Sequence, residues 1–217
     1  MIYCMSDIHG EIDRFHRMLE LIQLKEDDRL YIIGDVIDRF PGGVDILQEI
    51  MSMKNVAMLL GNHEDMCIKT LGIHNEFGAR DLWKSNGGSC TYRELMYHMT
   101  PIGRREIIRY LESLPIELDI EVNENKYRLV HGWPGTTDDD RIWGRPQDFL
   151  PSNLPPNTSA IIGHTPTCYL SVDKDGPFHI VHNTKKHYIA IDCGCGNSTE
   201  RRRLACLRLD DLYEYYV

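Results

Sequence analysis

The sequence predicts an α/β fold, and three observations lead to it. The first third alternates short apolar runs with helix-period patterns, the second half switches to strands, and five apolar runs each end on a residue able to bind a metal. Strand and helix alternating in this way build βαβ units, whose largely parallel sheet needs helices on its faces. Residues 2–5 (IYCM) form a buried strand, and residues 11–24 place Ile12, Phe15, Leu19 and Ile22 at helical spacing. Residues 29–33 (RLYII) are the next strand, 44–53 the next helix and 56–60 a third strand. Residues 64–114 are mostly helical, broken by the Asn86-Gly87-Gly88 turn signal and by Pro101. Strands follow at 116–122, 127–130, 160–162, 178–181, 188–191 and 204–209. Between them, residues 133–158 are rich in Pro, Asp, Asn and Gly and read as a loop long enough to suggest a functional role. The acidic, aromatic segment from Leu209 to Val217 reads as a docked terminal segment.

With 217 residues, 42% of them hydrophobic, the chain is expected to form one domain over 1–217. A net charge of -9 argues against nucleic acid as a partner, because backbone binding needs a basic surface to displace counterions. The opening MIYCMSDIHG has no basic region and no apolar stretch of signal-peptide length, and no later run approaches a membrane span. The seven cysteines are odd in number and scattered, which suits a reducing cytoplasm better than a disulfide scaffold.

The strand candidates IYCMSD, RLYIIGD, VAMLLGN, YRLVH and AIIGH end at Asp7, Asp35, Asn62, His131 and His164. In open α/β sheets the carboxyl ends of the strands converge where ligands bind, so five distant segments can deliver their polar ends to one place. Taken singly, Asp7, Asp35 and Asn62 could cap helices, and either histidine could be a hydrogen-bonded loop residue. Histidine is not a favoured cap, however, and His9 adds a third imidazole two residues beyond Asp7. Carboxylate, imidazole and amide oxygen without thiolate suit manganese, iron or zinc, whereas oxygen alone would favour magnesium or calcium. Six side chains exceed the roughly four ligands of one zinc site, which points to two ions sharing Asp35.

Ser6-Asp7-Ile8-His9-Gly10, Gly34-Asp35-Val36-Ile37-Asp38-Arg39, Gly61-Asn62-His63-Glu64, His131-Gly132 and Gly163-His164-Thr165-Pro166 together resemble the ordered signature of the metallophosphoesterases. Within that superfamily the chain is most similar to the phosphoprotein phosphatase branch, in particular its bacterial and phage-lambda-type serine/threonine protein phosphatases. The resemblance implies a calcineurin-like fold of two packed mixed sheets flanked by helices. It also implies that Asp7, His9 and Asp35 hold one metal and that Asp35, Asn62, His131 and His164 hold the other. Asp38 would orient His63, the general acid for the leaving group. Two positions depart from the family pattern: Phe40-Pro41 follow Arg39 where glycine is common, and Ser6 stands where many members have glycine.

The expected chemistry is in-line attack on phosphorus by a water or hydroxide acidified between two divalent cations, manganese first and iron or zinc as alternatives. Arg39 and Arg145 are the expected phosphate clamps, with Arg141 the competing choice for the second. Glu64 is expected to favour the start of its helix through the dipole. Asn86-Gly87-Gly88, after Trp83, is assigned only to the pocket rim, Cys193 and Cys195 to ordinary thiols, and Asp192 to a structural hydrogen bond. The leading expectation is a phosphatase for phosphoserine and phosphothreonine, with phosphotyrosine as an added substrate, framed by the helical segment 64–114 and the loop 133–158. The alternatives are a hydrolase of dinucleoside polyphosphates or other nucleotides, and a non-catalytic member that binds metal or a phosphorylated partner.

Overall fold

The computed structural model describes residues 1–148, 154–171 and 175–217. Strands β1 (Ile2–Met5), β2 (Arg29–Ile33), β3 (Val56–Leu59), β9 (Ala205–Arg208) and β10 (Tyr213–Tyr216) form one sheet in the order β10-β9-β1-β2-β3. Strands β4 (Glu117–Val122), β5 (Asn125–Val130), β6 (Thr158–Ile162), β7 (Val181–Asn183) and β8 (Tyr188–Ala190) form the other in the order β4-β5-β6-β8-β7. The parallel pairings expected from βαβ alternation in the first third hold for β1-β2-β3, and β5-β6-β8 also pair in parallel. Antiparallel neighbours flank both groups, so each sheet is mixed rather than largely parallel.

Strand periodicity explains how the layers stack. Cys4, Ile33, Leu59, Ala205 and Leu207 of the first sheet meet Tyr127, Leu129, Ile161 and Ile189 of the second in one buried core. Their alternating neighbours Tyr3, Met5, Leu30, Ile32 and Met58 face a separate core beneath the helices. There α1 (Ile12–Ile22) contributes Phe15, Met18 and Ile22, and α2 (Gly43–Ser52) contributes Val44, Ile46, Leu47 and Ile50. Both are amphipathic helices whose apolar stripe is the face the sheet needs covered. Truncating a fully buried leucine or isoleucine in either core should cost about 2–5 kcal/mol.

The helical segment consists of α3 (Asn62–Leu71), α4 (Ala79–Ser85), α5 (Ser89–Arg93) running into one π-helical turn at Glu94–His98, and α6 (Pro101–Glu112). Pro101 starts α6 rather than interrupting a helix: Thr100 caps it by accepting from the Gly103 N–H, and proline at the first position gives up no helical bond.

Two expectations need correction. Within the loop expected over 133–158, α7 (Asp138–Trp143) forms because Thr137 and Asp140 make a reciprocal capping box, with three aspartates in its first turn. Residues 149–153 of that loop lie outside the described residues. The strand expected over 178–181 starts only at Val181, because the Phe178 N–H donates to Arg201 O and the Ile180 N–H to the Tyr216 hydroxyl rather than to a sheet ladder. Among the described residues, no helix is long and apolar enough to cross a membrane.

Candidate metal centre

The carboxyl ends of β1, β2 and β3 in one sheet and of β5 and β6 in the other meet at one site. Asp7, His9, Asp35, Asn62 and His131 are all at most 3% exposed, and His164 is only partly accessible. Asp7, His9, Asp35, Asp38, Arg39 and His164 all adopt left-handed backbone, with φ between 51° and 74°. Non-glycine residues rarely do so, and their clustering here marks a site where local strain is compensated by surrounding contacts. None of Asp7, Asp35 or Asn62 occupies the cap position of a helix: the caps of α1, α2 and α3 are Glu11, Gly42 and Gly61. Asp35 Oδ1 does accept from the His63 N–H in the first turn of α3 at 3.0 Å, so a capping role accounts for part of what Asp35 does.

The imidazoles are aimed by backbone carbonyls. His9 Nδ1 donates to Ile37 O at 3.1 Å, which leaves Nε2 facing Asp35 Oδ2 at 3.7 Å and Asp7 Oδ1 at 3.9 Å. His131 Nδ1 donates to Ile33 O at 2.8 Å, leaving Nε2 3.3 Å from Asp35 Oδ1 and 3.0 Å from Asn62 Oδ1. His164 instead presents Nδ1, 2.9 Å from Asn62 Oδ1, and donates its backbone N–H to Asp7 Oδ2 at 3.1 Å. Such outer hydrogen bonds fix ring orientation and tautomer around metal sites. Glycine is needed at position 61, where a Cβ would lie 2.3 Å from Asp35 Oδ1.

Two donor groups result, His9-Asp35-His63 and Asp35-His131-His164, with the donor atoms of each within 4.8 Å of one another and Asp35 common to both. The electrostatics fit a cationic occupant. Asp7, Asp35, Glu64 and Asp192 are buried carboxylates, and burial with mutual repulsion raises Asp7 well above the carboxylate range and Asp192 to about 6. Burial also opposes charge on Asp35, but His131 and His63 outweigh it and hold that carboxyl well below the usual range. Burial lowers His9, and it lowers His164 to about 3, so both keep a lone pair available for a ligand bond. Buried carboxylates packed this densely need countercharge, which divalent cations supply.

His63 belongs to the first donor group, where Asp7 was expected; its Nδ1 lies 2.7 Å from Asp38 Oδ2, and its Nε2 points back towards Asp35 Oδ2 at 3.8 Å. Burial works against a charged His63 ring, yet Asp35 and Asp38 together raise its pKa. Arg39 is exposed, with Nη1 3.5 Å from Asn197 Oδ1. Arg141 is engaged elsewhere, donating to Glu117 and Asp138, whereas the charge of Arg145 reaches His164.

Three contributions were not legible in the sequence. Glu64 does more than favour a helix start: its buried carboxylate accepts from the Asp35, Val36, Ile37 and Gly61 N–H groups and so ties the turn after β2 to α3. Burial pushes that carboxyl up to about 7 against the pull of these donors. Trp143, at the end of α7, packs edge-on against the His164 ring at 5.9 Å. Trp83 donates its indole N–H to Asp38 Oδ2 at 2.6 Å. Its position just before Asn86-Gly87-Gly88 was the available signal, but spacing alone does not reveal a contact 45 residues away in sequence. Cys193 and Cys195 are buried free thiols, and burial pushes Cys195 up to about 12, as ordinary core thiols should behave.

The family model for calcineurin-like phosphoesterases matches residues 1–210. The chain is 28% identical over 140 residues to serine/threonine-protein phosphatase 2 of Escherichia coli (strain K12), covering 62% of this chain and 60% of that protein. It is 36% identical over 64 residues to the symmetrical bis(5'-nucleosyl)-tetraphosphatase of Salmonella newport (strain SL254), covering 29% of this chain and 23% of the relative. It therefore spans less than two thirds of both curated relatives. Among solved structures, a putative diadenosine tetraphosphatase superposes over all of this chain and 92% of its own with a TM-score of 0.62 at 15% identity, a likeness of fold.

Proposed function

The chain belongs to the calcineurin-like phosphoesterase family, and on that premise we propose that residues 1–217 form one unit that hydrolyses phosphoserine and phosphothreonine monoesters, and phosphotyrosine as well, with two divalent cations. The observation that carries the reading is the His63–Asp38 pair at a site where two donor groups share Asp35, His63 itself belonging to one of them.

Asp7, His9 and Asp35 would hold one cation, and Asp35, Asn62, His131 and His164 the other, with manganese first and iron or zinc as alternatives. When bound, such ions polarise phosphoryl oxygens and acidify water to near neutrality. The chain's own residues do the rest. Arg39 and Arg145 draw the phosphate oxygens into place through planar guanidinium forks. Water contributes the oxygen that forms a new bond to phosphorus and releases a proton to solvent as the ester P–O bond breaks. The leaving oxygen takes the proton of His63 Nε2, and solvent restores it. Asp38 keeps the ring aimed by accepting from Nδ1.

The longer match to the E. coli phosphatase favours a phosphoprotein, while the Salmonella match and the fold neighbour favour a dinucleoside polyphosphate as the second reading. Parallel manganese-supplemented assays with a phosphoserine peptide and diadenosine tetraphosphate rank the two. Faster turnover of the peptide is expected; preference for the dinucleotide would replace this reading with the second. Failure to hydrolyse either substrate or 4-nitrophenyl phosphate would leave only a binding role.

A further inference from the structure

Asp38 makes its side-chain hydrogen bonds through a single oxygen. His63 Nδ1 at 2.7 Å and Trp83 Nε1 at 2.6 Å both meet Oδ2, whereas the buried Oδ1 has no partner among the described residues. The carboxylate is therefore oriented by two donors, one of which is the general acid itself. The other comes from α4, and the indole is fully buried.

The same helical segment holds the strained backbone at this point. Asp38 and Arg39 have φ of 74° and 68°; the Asp38 N–H donates to Thr91 Oγ1 at 3.0 Å and the Arg39 N–H to Gly87 O at 3.1 Å. The turn after α4 is shaped around the indole: a Cβ on Gly88 would lie 2.4 Å from both Cδ1 and Nε1 of Trp83. Gly88 has an ordinary negative φ, so it is space for the ring, and not backbone freedom, that calls for glycine there.

We propose that Trp83 is a positioning residue for proton delivery: by fixing Asp38 Oδ2 it fixes the aim of His63, which couples the helical segment to departure of the leaving group. The inference rests on the reading of His63 as the general acid. Without the indole N–H, Asp38 can turn about its terminal torsion and His63 loses a defined direction for its proton. An ester whose leaving group departs readily needs little protonation and is little affected. An ester with a basic leaving group loses part of the roughly 100- to 10,000-fold that a positioned acid contributes.

The test is a series of aryl phosphates of rising leaving-group basicity, ending with a phosphoserine peptide, turned over by the manganese-loaded wild type, Trp83→Phe, His63→Asn and the double variant. Trp83→Phe should lower kcat about tenfold or more for the peptide, leave 4-nitrophenyl phosphate within about twofold, and leave KM and metal content unchanged. In the His63→Asn background it should have no further effect. Gly88→Ala, which crowds the same indole, should steepen the leaving-group dependence in the same way and serves as the test if Trp83→Phe does not fold. An equal loss across all leaving groups, or losses that multiply in the double variant, would reduce Trp83 to a packing residue. A leaving-group dependence unchanged by His63→Asn would instead remove the general acid, and the inference with it.

Discussion

The strand ends and the helical segment contribute to the site in different ways. The turns that follow the strands of both sheets supply most of the candidate metal donors, with His131 held by Ile33 O and His9 by Ile37 O, while Asn62 opens α3. The helical segment gathers His63 at the start of α3, Trp83 on α4 and Thr91 on α5 around Asp38, and would under the proposed function direct proton transfer. Binding ions and aiming a proton should therefore be separable by mutation.

The largest effect is expected at the residue common to both donor groups. Asp35→Ala should reduce phosphatase activity to background and lower metal content, because neither group is complete without it. His63→Asn should lower turnover about 100- to 10,000-fold while metal content measured on the same sample stays at the wild-type level. If metal is lost along with turnover, the division between the two regions is wrong. Arg39→Lys keeps the charge but loses the fork, and a fall of about tenfold to a hundredfold in kcat/KM is expected from a charge-assisted bond worth about 1.5–3 kcal/mol. An unchanged rate would take Arg39 out of phosphate binding.

The smallest effect should come from the cap of α7, outside both regions. Thr137→Ala removes the acceptor for the Asp140 N–H and should cost about 1 kcal/mol, read from denaturant midpoints. The backbone N–H of Thr137 holds the Asp140 carboxyl below its usual range. A depressed carboxyl stabilises above its unfolded pKa of about 3.9, and that contribution is lost as the pH falls through the folded value. The destabilisation caused by Asp140→Asn, which removes that carboxylate, should therefore be larger at neutral pH than near pH 3.

The candidate metal donors were legible because strand polarity turns sequence into position: a polar residue ending an apolar run lies at the carboxyl edge of its own sheet. That rule places Asp7, Asp35 and Asn62 at the carboxyl edge of one sheet and His131 and His164 at that of the other; the packing of the two sheets joins them. The pairing of His63 with Asp38 came through family resemblance, since a bond across 25 residues has no periodic signature. Glu64 and Trp83 escaped because their partners are backbone amides and a buried oxygen on a different segment. In the fold, β1 to β3 and their helices were legible from apolar period, whereas α7 was hidden by a composition that suggested loop, although Thr137 and Asp140 carry the capping-box spacing. The start of β7 was misplaced because apolar residues 178–180 are buried without pairing in a ladder.

The central claim is that Asp35 joins two cation sites. Its most direct test is metal content per chain by plasma mass spectrometry after manganese loading and desalting, comparing wild type with Asp35→Ala. The account predicts two ions per wild-type chain and fewer than one in the variant; a single ion in wild type, or two retained without Asp35, would contradict it.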